Sequence, residues 1–295
     1  MIISPIFYMG NKKKLIKKGL VDLFPKNINT FVEPFGGTGI VSMNTNANTY
    51  LINDKNNFLY DLYVLFKNTS SEEIIKHIEN RIEEFNLPKE RTKRNIFEDK
   101  EKIEEYKKAY TNFRNYANKN KNILDYYTLM FFAFSQQPRF NSKGNFNMPY
   151  GMDCFSDNNK EYIKNGCKFF SQNNVKISNN TFEDFNIDIV NENDFIYLDP
   201  PYLGTLATYN ENNGWNIDDE KKLYNLCEEL NKRNIKFGIS NMFSSKNIPN
   251  ETLIEWCDKN KWNIYNFKEM KYSACGKSNE NVKEVFITNY ERGAK

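Results

Sequence analysis

Histidine is almost missing from this sequence of 295 residues: His77 is the one copy, and it lies in a polar helical stretch. Chemistry that needs several histidines, as metal ligands or as an acid and base pair, is therefore excluded. Cysteine is scarce as well. Cys154, Cys167, Cys227, Cys257 and Cys275 are widely spread with no Cys-x-x-Cys spacing, which argues against a zinc site and against a disulfide framework. Long apolar runs are lacking too. No stretch approaches the ~18 apolar residues of a membrane span, and Met1-Ile2-Ile3-Ser4-Pro5 turns lysine-rich without the apolar run of a signal peptide. A soluble, cytoplasmic protein without a membrane partner or a bound metal is the expectation. Neither sign of charge is in large excess: the formal net charge is +3, so a polyanionic partner is permitted by the total but argued only by local clustering. What the sequence has is apolar material, 39% hydrophobic and 15% aromatic, enough for one large core with a smaller attached unit rather than a disordered chain.

Short apolar runs bounded by Gly, Pro, Asn or Asp predict buried strands at Thr30-Phe31-Val32, Tyr50-Leu51-Ile52, Val175-Lys176-Ile177, Phe195-Ile196-Tyr197-Leu198, Lys236-Phe237-Gly238-Ile239 and Val285-Phe286-Ile287. Ahead of the last two, helical spacing of Leu223, Leu226, Cys227 and Leu230 predicts a helix over 218–233. Strands alternating with helices imply an open α/β sheet. From about 58 to 160 the texture changes. Ile74, Ile75, Ile78, Ile82 and Phe85 mark an amphipathic helix, and the charged stretch that follows suggests others. The reading is an α/β domain in two parts, 1–57 and 161–295, interrupted by a mostly helical insertion over 58–160.

Phe31-Val32-Glu33-Pro34-Phe35-Gly36-Gly37-Thr38-Gly39-Ile40 places three glycines between a strand and an expected helix start. Glycine allows positive φ and close backbone approach, and open α/β sheets bind ligands at the carboxyl ends of their strands, so a small-molecule site is expected at this turn. The spacing fits neither G-x-G-x-x-G nor a P-loop, which argues against a pyrophosphate or triphosphate ligand. Leu51-Ile52-Asn53-Asp54 then delivers a carboxylate at the next strand end, suited to both hydroxyls of a ribose; taken singly, Asp54 reads equally well as a turn residue or helix cap.

The strand Phe195 to Leu198 runs into Asp199-Pro200-Pro201-Tyr202. Two successive prolines have fixed φ and no N–H, which stiffens the loop and turns its carbonyls outward as acceptors. The exocyclic amine of adenine or cytosine is a poor nucleophile because its lone pair is delocalised into the ring. A carboxylate at Asp199 and a carbonyl at Pro200 that accept its two N–H bonds would aim that lone pair at a methyl donor and stabilise the developing positive charge. Tyr202 would stack on the base, and no histidine is needed.

These motifs, in this order, resemble the Dam-type DNA adenine N6-methyltransferases: Phe7-Tyr8-Met9-Gly10-Asn11-Lys12, then Glu33-Pro34-Phe35-Gly36-Gly37-Thr38-Gly39, the insertion, and Asp199-Pro200-Pro201-Tyr202. The resemblance covers almost the whole chain. It implies a Rossmann-like methyltransferase sheet whose DNA-recognition insertion carries a β-hairpin, with S-adenosylmethionine as cofactor and double-stranded DNA as substrate. By the same resemblance Tyr8, Met9, Gly10 and Lys12 line the cofactor pocket, Pro34 to Gly39 pass beneath its methionine end, and Asp54 holds its ribose. Asp184-Phe185 is similar to the pair that contacts its adenine, and Asp199 serves cofactor and target base together. Tyr8 departs from the tryptophan expected in close relatives, with an aromatic kept. A monomer is expected, with a cognate restriction endonuclease as a possible cellular partner.

For DNA reading, the stretch 136–151 has turn chemistry at Ser142-Lys143-Gly144-Asn145 and is similar to the family's target-recognition hairpin. Gln137, Arg139, Asn141 and Lys143 are the candidate contacts, with Arg139 at the position that reads a guanine; a plain surface hairpin is the alternative. Phe134-Ser135-Gln136-Gln137-Pro138 does not follow the GATC-specific members, so GATC is not assigned. Lys12, Lys13, Lys14, Lys17 and Lys18 form one basic run, and Lys89, Arg91, Lys93 and Arg94 a second, each either a phosphate contact or a solvated helix face. The segment 272–281, between two expected strands, reads as a mobile loop that orders on DNA or as a disordered hairpin tip. The base must leave the duplex to reach Asp199. The rivals are methylation of cytosine N4, of RNA or of a protein glutamine, and a non-catalytic DNA-binding protein on the same scaffold.

Overall fold

In the computed structural model, which describes residues 1–91, 100–203, 215–245, 248–267 and 283–291, the apolar runs become strands of one sheet. The strands are β1 (Ile28–Glu33), β2 (Ala47–Asn53), β3 (Val175–Ser178), β4 (Phe195–Leu198), β5 (Lys236–Ser245), the two-residue β6 (Ile248–Pro249), β7 (Asn263–Asn266) and β8 (Lys283–Thr288). Their order across the sheet is β3-β2-β1-β4-β5-β8-β7, with β6 paired to β5. Neighbours from β3 to β5 are parallel, while β8 runs antiparallel between β5 and β7. This is a Rossmann-like methyltransferase arrangement. The chain leaves β1 outward to β2 and β3, then returns to lay β4 on the other side of β1. That reversal opens a crevice at the carboxyl ends of β1 and β4, the place where open α/β sheets bind ligands.

Both faces of the sheet are covered, which explains why its strands read as apolar runs rather than alternating ones. In β4, Phe195 and Tyr197 point into one core cluster and Ile196 and Leu198 into the other. The first cluster holds aromatic rings of Phe24, Phe31, Tyr197 and Phe286 within contact of one another. The short helices α1 (Lys13–Lys17) and α2 (Ile40–Asn44) add Leu15 and Ile40 to it. It continues into the helical segment through α3 (Asn57–Asn68), α4 (Ser71–Glu84), α5 (Lys100–Asn120), α6 (Ile123–Phe132) and α7 (Asp157–Gln172), so those helices share a core with the sheet. The second cluster takes α8 (Ile217–Lys232) and α9 (Glu251–Asn260). The helix predicted over 218–233 is α8, started by Asn216, whose side chain accepts from the N–H groups of Asp218 and Asp219. Among the described residues no helix is long and apolar enough to cross a membrane.

The lone histidine has a structural partner. His77 Nε2 lies 2.8 Å from Asp125 Oδ1, and Arg81 Nε donates to the same oxygen at 2.7 Å, which ties α4 to α6. Burial alone would raise the Asp125 carboxyl; bonds from His77 and Arg81 outweigh it and hold the group below its ordinary value.

The expected hairpin over 136–151 is less regular than its sequence suggested. Pairing is confined to two bridges, Ala133 with Tyr150 and Phe140 with Phe146, joined by a turn in which the Asn141 N–H donates to the Asn145 carbonyl. Pro138 and Pro149 supply no ladder N–H, and Ser135 and Gln136 both adopt positive φ (56° and 53°), so a continuous ladder is broken at both arms. The neighbouring helix replaces it: α5 grips the second arm through Asn118 and Phe146, which exchange two bonds of 2.7 and 3.0 Å, and through Tyr110 Oη to the Met148 carbonyl at 2.8 Å.

Candidate active site

The glycine turn is tied down from three sides. The chain passes from Glu33 through residues 34–39 into α2, with Gly37 and Gly39 at φ +54° and +68°. Gly36 packs so closely on β2 that a Cβ there would stand 2.8 Å from both Tyr63 Oη and Ile52 Cγ2. Gly36 N–H donates to the Asn53 carbonyl at 2.7 Å, and Tyr63 Oη donates to the Gly37 carbonyl at 2.6 Å. Asp54 finishes the turn: Oδ2 accepts the Gly37 N–H and Oδ1 the Asn56 N–H, each at 2.8 Å. Burial raises the Asp54 carboxyl despite these bonds. Asn56 Nδ2 in turn donates to Tyr8 Oη at 3.1 Å, so the N-terminal motif and the ends of β1 and β2 meet at one place. Asn53 joins in by donating to the carbonyls of Pro34 and Asn180, both at 2.9 Å, linking three strand ends.

Beside that turn lies the loop after β4. Lys12, only 5% exposed, reaches Asp199 Oδ1 at 2.8 Å and also donates to the Gly10 carbonyl at 3.0 Å. A buried ammonium needs such a partner. Its Nζ stands 5.1 Å from the centre of the Tyr202 ring. Tyr202 Oη is 3.4 Å from Asp199 Oδ1 and 3.2 Å from Oε1 of Glu284, a carboxylate on β8 that is 1% exposed. Burial pushes the Asp199 carboxyl up to about 6, although Lys12 pulls it down. Glu33, buried at the end of β1 and bonded to Ser42 Oγ, is pushed up to about 8 by burial and so is neutral at pH 7. The crevice thus sets the Lys12–Asp199 pair beside the buried carboxyls of Glu33, Asp54 and Glu284.

A family model described as D12 class N6 adenine-specific DNA methyltransferase matches residues 8–272. The chain belongs to that family. It is similar to the type II methyltransferase M.FokI of Planomicrobium okeanokoites, 38% identical over 299 residues, and to the modification methylase StsI of Streptococcus sanguinis, 35% identical over 298. Both alignments take in 98% of this chain and 43% of the relative, so the chain spans less than half the length of either. A DNA adenine methylase of Vibrio cholerae is 29% identical over 226 residues, 71% of each protein.

Within this D12-class chain the other sequence-predicted residues fall as follows. Asp184 is exposed and caps its own short turn, accepting from the Thr181 N–H and hydroxyl at 3.2 and 3.0 Å, and Phe185 packs on the second core cluster. Phe35 meets Phe182 and Trp215 at 5.3 and 5.8 Å between ring centres. Met9 is 40% exposed at the mouth of the site. Arg139 is exposed and oriented by Asn147, donating from Nε to Oδ1 at 2.7 Å and from Nη2 to the carbonyl at 3.1 Å. Asn141 acts within its own turn, where its Oδ1 accepts the N–H groups of Lys143 and Asn145, both at 3.0 Å. Lys143 is exposed at the tip and Gln137 is half-buried at the base. Lys93, Arg94, Cys275 and the segment 272–281 lie outside the described residues.

Three residues near the site escaped sequence reasoning. Asn53 was read only as the neighbour of Asp54. Glu284 carried a signal in retrospect, a carboxylate opening the apolar run Val285-Phe286-Ile287. Trp215, which donates from Nε1 to buried Glu220 at 2.9 Å, carried none.

Proposed function

We propose that this chain methylates the N6 amine of an adenine turned out of duplex DNA, with S-adenosylmethionine as donor. The observation that carries the reading is the placement of Asp199-Pro200-Pro201-Tyr202 at the switch point of the sheet, side by side with the glycine turn that Asp54 holds. Adenine rather than cytosine, RNA or protein follows the family, and the relatives' names, which include a DNA adenine methylase, agree.

The cradle fits a sulfonium donor. A Cβ built at Gly37 meets no atom within 4 Å, so this backbone faces open space that a ligand can approach closely. The Asp54 carboxyl on Gly37 and the Asp199 carboxyl beside the turn favour the cation. Tyr8, Met9, Gly10, Lys12, residues 34–39, Asp54, Asp184 and Phe185 are the residues proposed to hold the donor, with Asp54 offering its remaining lone pairs to ribose hydroxyls. When bound, the donor supplies an electrophilic methyl group. The chain's own part is orientation. Asp199 accepts one N–H of the target amine and the Pro200 carbonyl accepts the other, which turns the lone pair out of the ring system and stabilises positive charge on nitrogen as the bond forms. Tyr202 gives the base a face to stack on. Phe134, 37% exposed and just ahead of the positive-φ residues Ser135 and Gln136, is the aromatic proposed to fill the stack left behind. The names "modification methylase" and "type II methyltransferase" support a modification role paired with a restriction endonuclease.

The deciding experiment incubates the chain with methyl-labelled donor and plasmid DNA and digests to nucleosides. Label in N6-methyladenine is expected; label in N4-methylcytosine, or in RNA or protein alone, overturns the reading.

A pH dependence follows from Asp199. The group must be ionised to accept the amine N–H, and its value in the free chain is about 6, above the ordinary 3.8. Activity is therefore full above that value and is lost as pH falls through it, so kcat/KM should drop about tenfold for each unit below pH 6. Lys12→Met removes the cation that holds Asp199 down, and the acid limb should move to higher pH. A limb at the same pH in that variant would detach Lys12 from Asp199.

A further inference from the structure

We infer that Glu284 is a positioning residue of the catalytic loop: from the neighbouring part of the sheet it pins the Tyr202 hydroxyl and so fixes the face on which the extruded base stacks. The inference rests on the reading above and adds a residue from a strand that the loop motif does not contain. Glu284 belongs to β8, whose partner β5 lies directly beside β4, the strand that ends in Asp199. Its side chain is almost wholly buried, at 1% exposure, within a sheet otherwise lined by Val285, Phe286 and Ile287 on this strand. A carboxylate held there loses its hydration and is retained only where it has bonds to make. Tyr202 Oη at 3.2 Å is such a bond.

The geometry around Tyr202 explains why one pin is useful. Its ring is touched on one side by the Lys12 ammonium at 5.1 Å, and its hydroxyl lies between two carboxylates, Asp199 at 3.4 Å and Glu284 at 3.2 Å. The hydroxyl carries one proton and so donates to one carboxylate at a time. When it donates to Glu284, both Asp199 oxygens stay open to Lys12 and to the amine of the target. When it donates to Asp199, it shares Oδ1 with Lys12 and draws off part of the negative charge that Asp199 offers the amine. The nearer Glu284 therefore does two things through Tyr202: it fixes the ring, and it draws the hydroxyl proton away from the group that must accept from the substrate. Glu284 acts through Tyr202.

The test uses the full chain with Glu284→Leu, which deletes the acceptor, Glu284→Gln, which keeps an acceptor oxygen, and Tyr202→Phe. A crystal structure of Glu284→Leu without DNA is expected to show the Tyr202 ring rotated off Lys12, or its hydroxyl moved onto Asp199. A ring and hydroxyl in their original places would overturn the inference whatever the methylation activity. In kinetics on a DNA site mapped with the wild-type chain, Glu284→Leu should lower kcat about tenfold with KM for DNA within about twofold, the loss expected for one bond to a charged group. Glu284→Gln should recover most of that loss, and Tyr202→Phe/Glu284→Leu should be no slower than the slower single variant. A duplex with 2-aminopurine at the mapped adenine should give brighter emission in Glu284→Leu, because a flipped base that is not stacked is not quenched. Additive losses, no rescue by glutamine, or unchanged emission would reduce Glu284 to packing. A wild-type chain that methylates no DNA would refute the proposed function, and the crystal structure would still judge the pin.

Discussion

Asp199→Ala is expected to lower kcat for DNA methylation by at least about 10³-fold while the chain stays folded. The magnitude follows from what is removed. The adenine amine has almost no basicity of its own, and the acceptor that localises its lone pair is the main device this site offers, since the chain's one histidine is engaged elsewhere with Asp125. One preorganised group of this kind is worth about 10²- to 10³-fold, and Asp199 also neutralises the charge that appears on nitrogen. The change leaves Lys12 buried without its carboxylate, so some stability is lost, and Asp199→Asn is the better control because an amide oxygen still accepts from Lys12. Circular dichroism and thermal unfolding separate misfolding from lost chemistry. Methylation within tenfold of wild type by a folded Asp199→Ala chain would remove Asp199 from the role proposed here.

The contrast between Asp199 and Lys12 shows what a sequence can disclose. Asp199 was legible because the strand, the carboxylate and the two prolines are contiguous, and each constrains the next through backbone geometry. Lys12 was placed in the cofactor pocket from motif order alone. Its ion pair with Asp199 joins residues that only the return of the chain to β4 brings together, and no local pattern encodes it. Asp54 is a middle case. The sequence left it between a ribose contact and a turn residue, and in the structure its two oxygens hold the N–H groups of Gly37 and Asn56, a structural use that leaves lone pairs for a ligand. The strands β1, β2, β4, β5 and β8 were readable because packing on both faces gives each an apolar run, and β3 because buried Val175 alternates with exposed Lys176. β7, with Asn263 and Asn266 at its ends and all side chains at least partly exposed, has no such signature, and a strand was expected ahead of 272–281 without being located. The hairpin was overread for the opposite reason: turn residues were recognised, but the ladder-breaking effect of Pro138, Pro149 and the Ser135-Gln136 corner depends on backbone angles that residue type alone does not fix.

Arg139→Ala should broaden the methylated sequences rather than stop methylation. The guanidinium has five N–H groups, and Asn147 takes two, one on Nε and one on Nη2. The outward edge formed by Nη1 and the second hydrogen of Nη2 keeps the paired donors that match N7 and O6 of guanine, and the bonds to Asn147 remove the rotamer freedom that would otherwise oppose that contact. Discrimination at one base pair by such a bidentate contact is worth about 1 to 3 kcal/mol, so selectivity at a guanine position should fall about 5- to 150-fold. Arg139 is exposed and not part of the core, and its replacement should change stability by no more than about 0.5 kcal/mol. Arg139→Lys should behave like the alanine variant at this position while keeping more of the affinity, because a single ammonium supplies charge without the paired geometry. Asn147→Ala should produce a weaker form of the same relaxation, since it loosens the orientation of Arg139 without removing it. Long-read sequencing of plasmid from hosts expressing each variant reads modified base and flanking sequence together. A methylation pattern identical to wild type in Arg139→Ala would exclude this residue from base reading and leave its bonds to Asn147 as a brace for the hairpin.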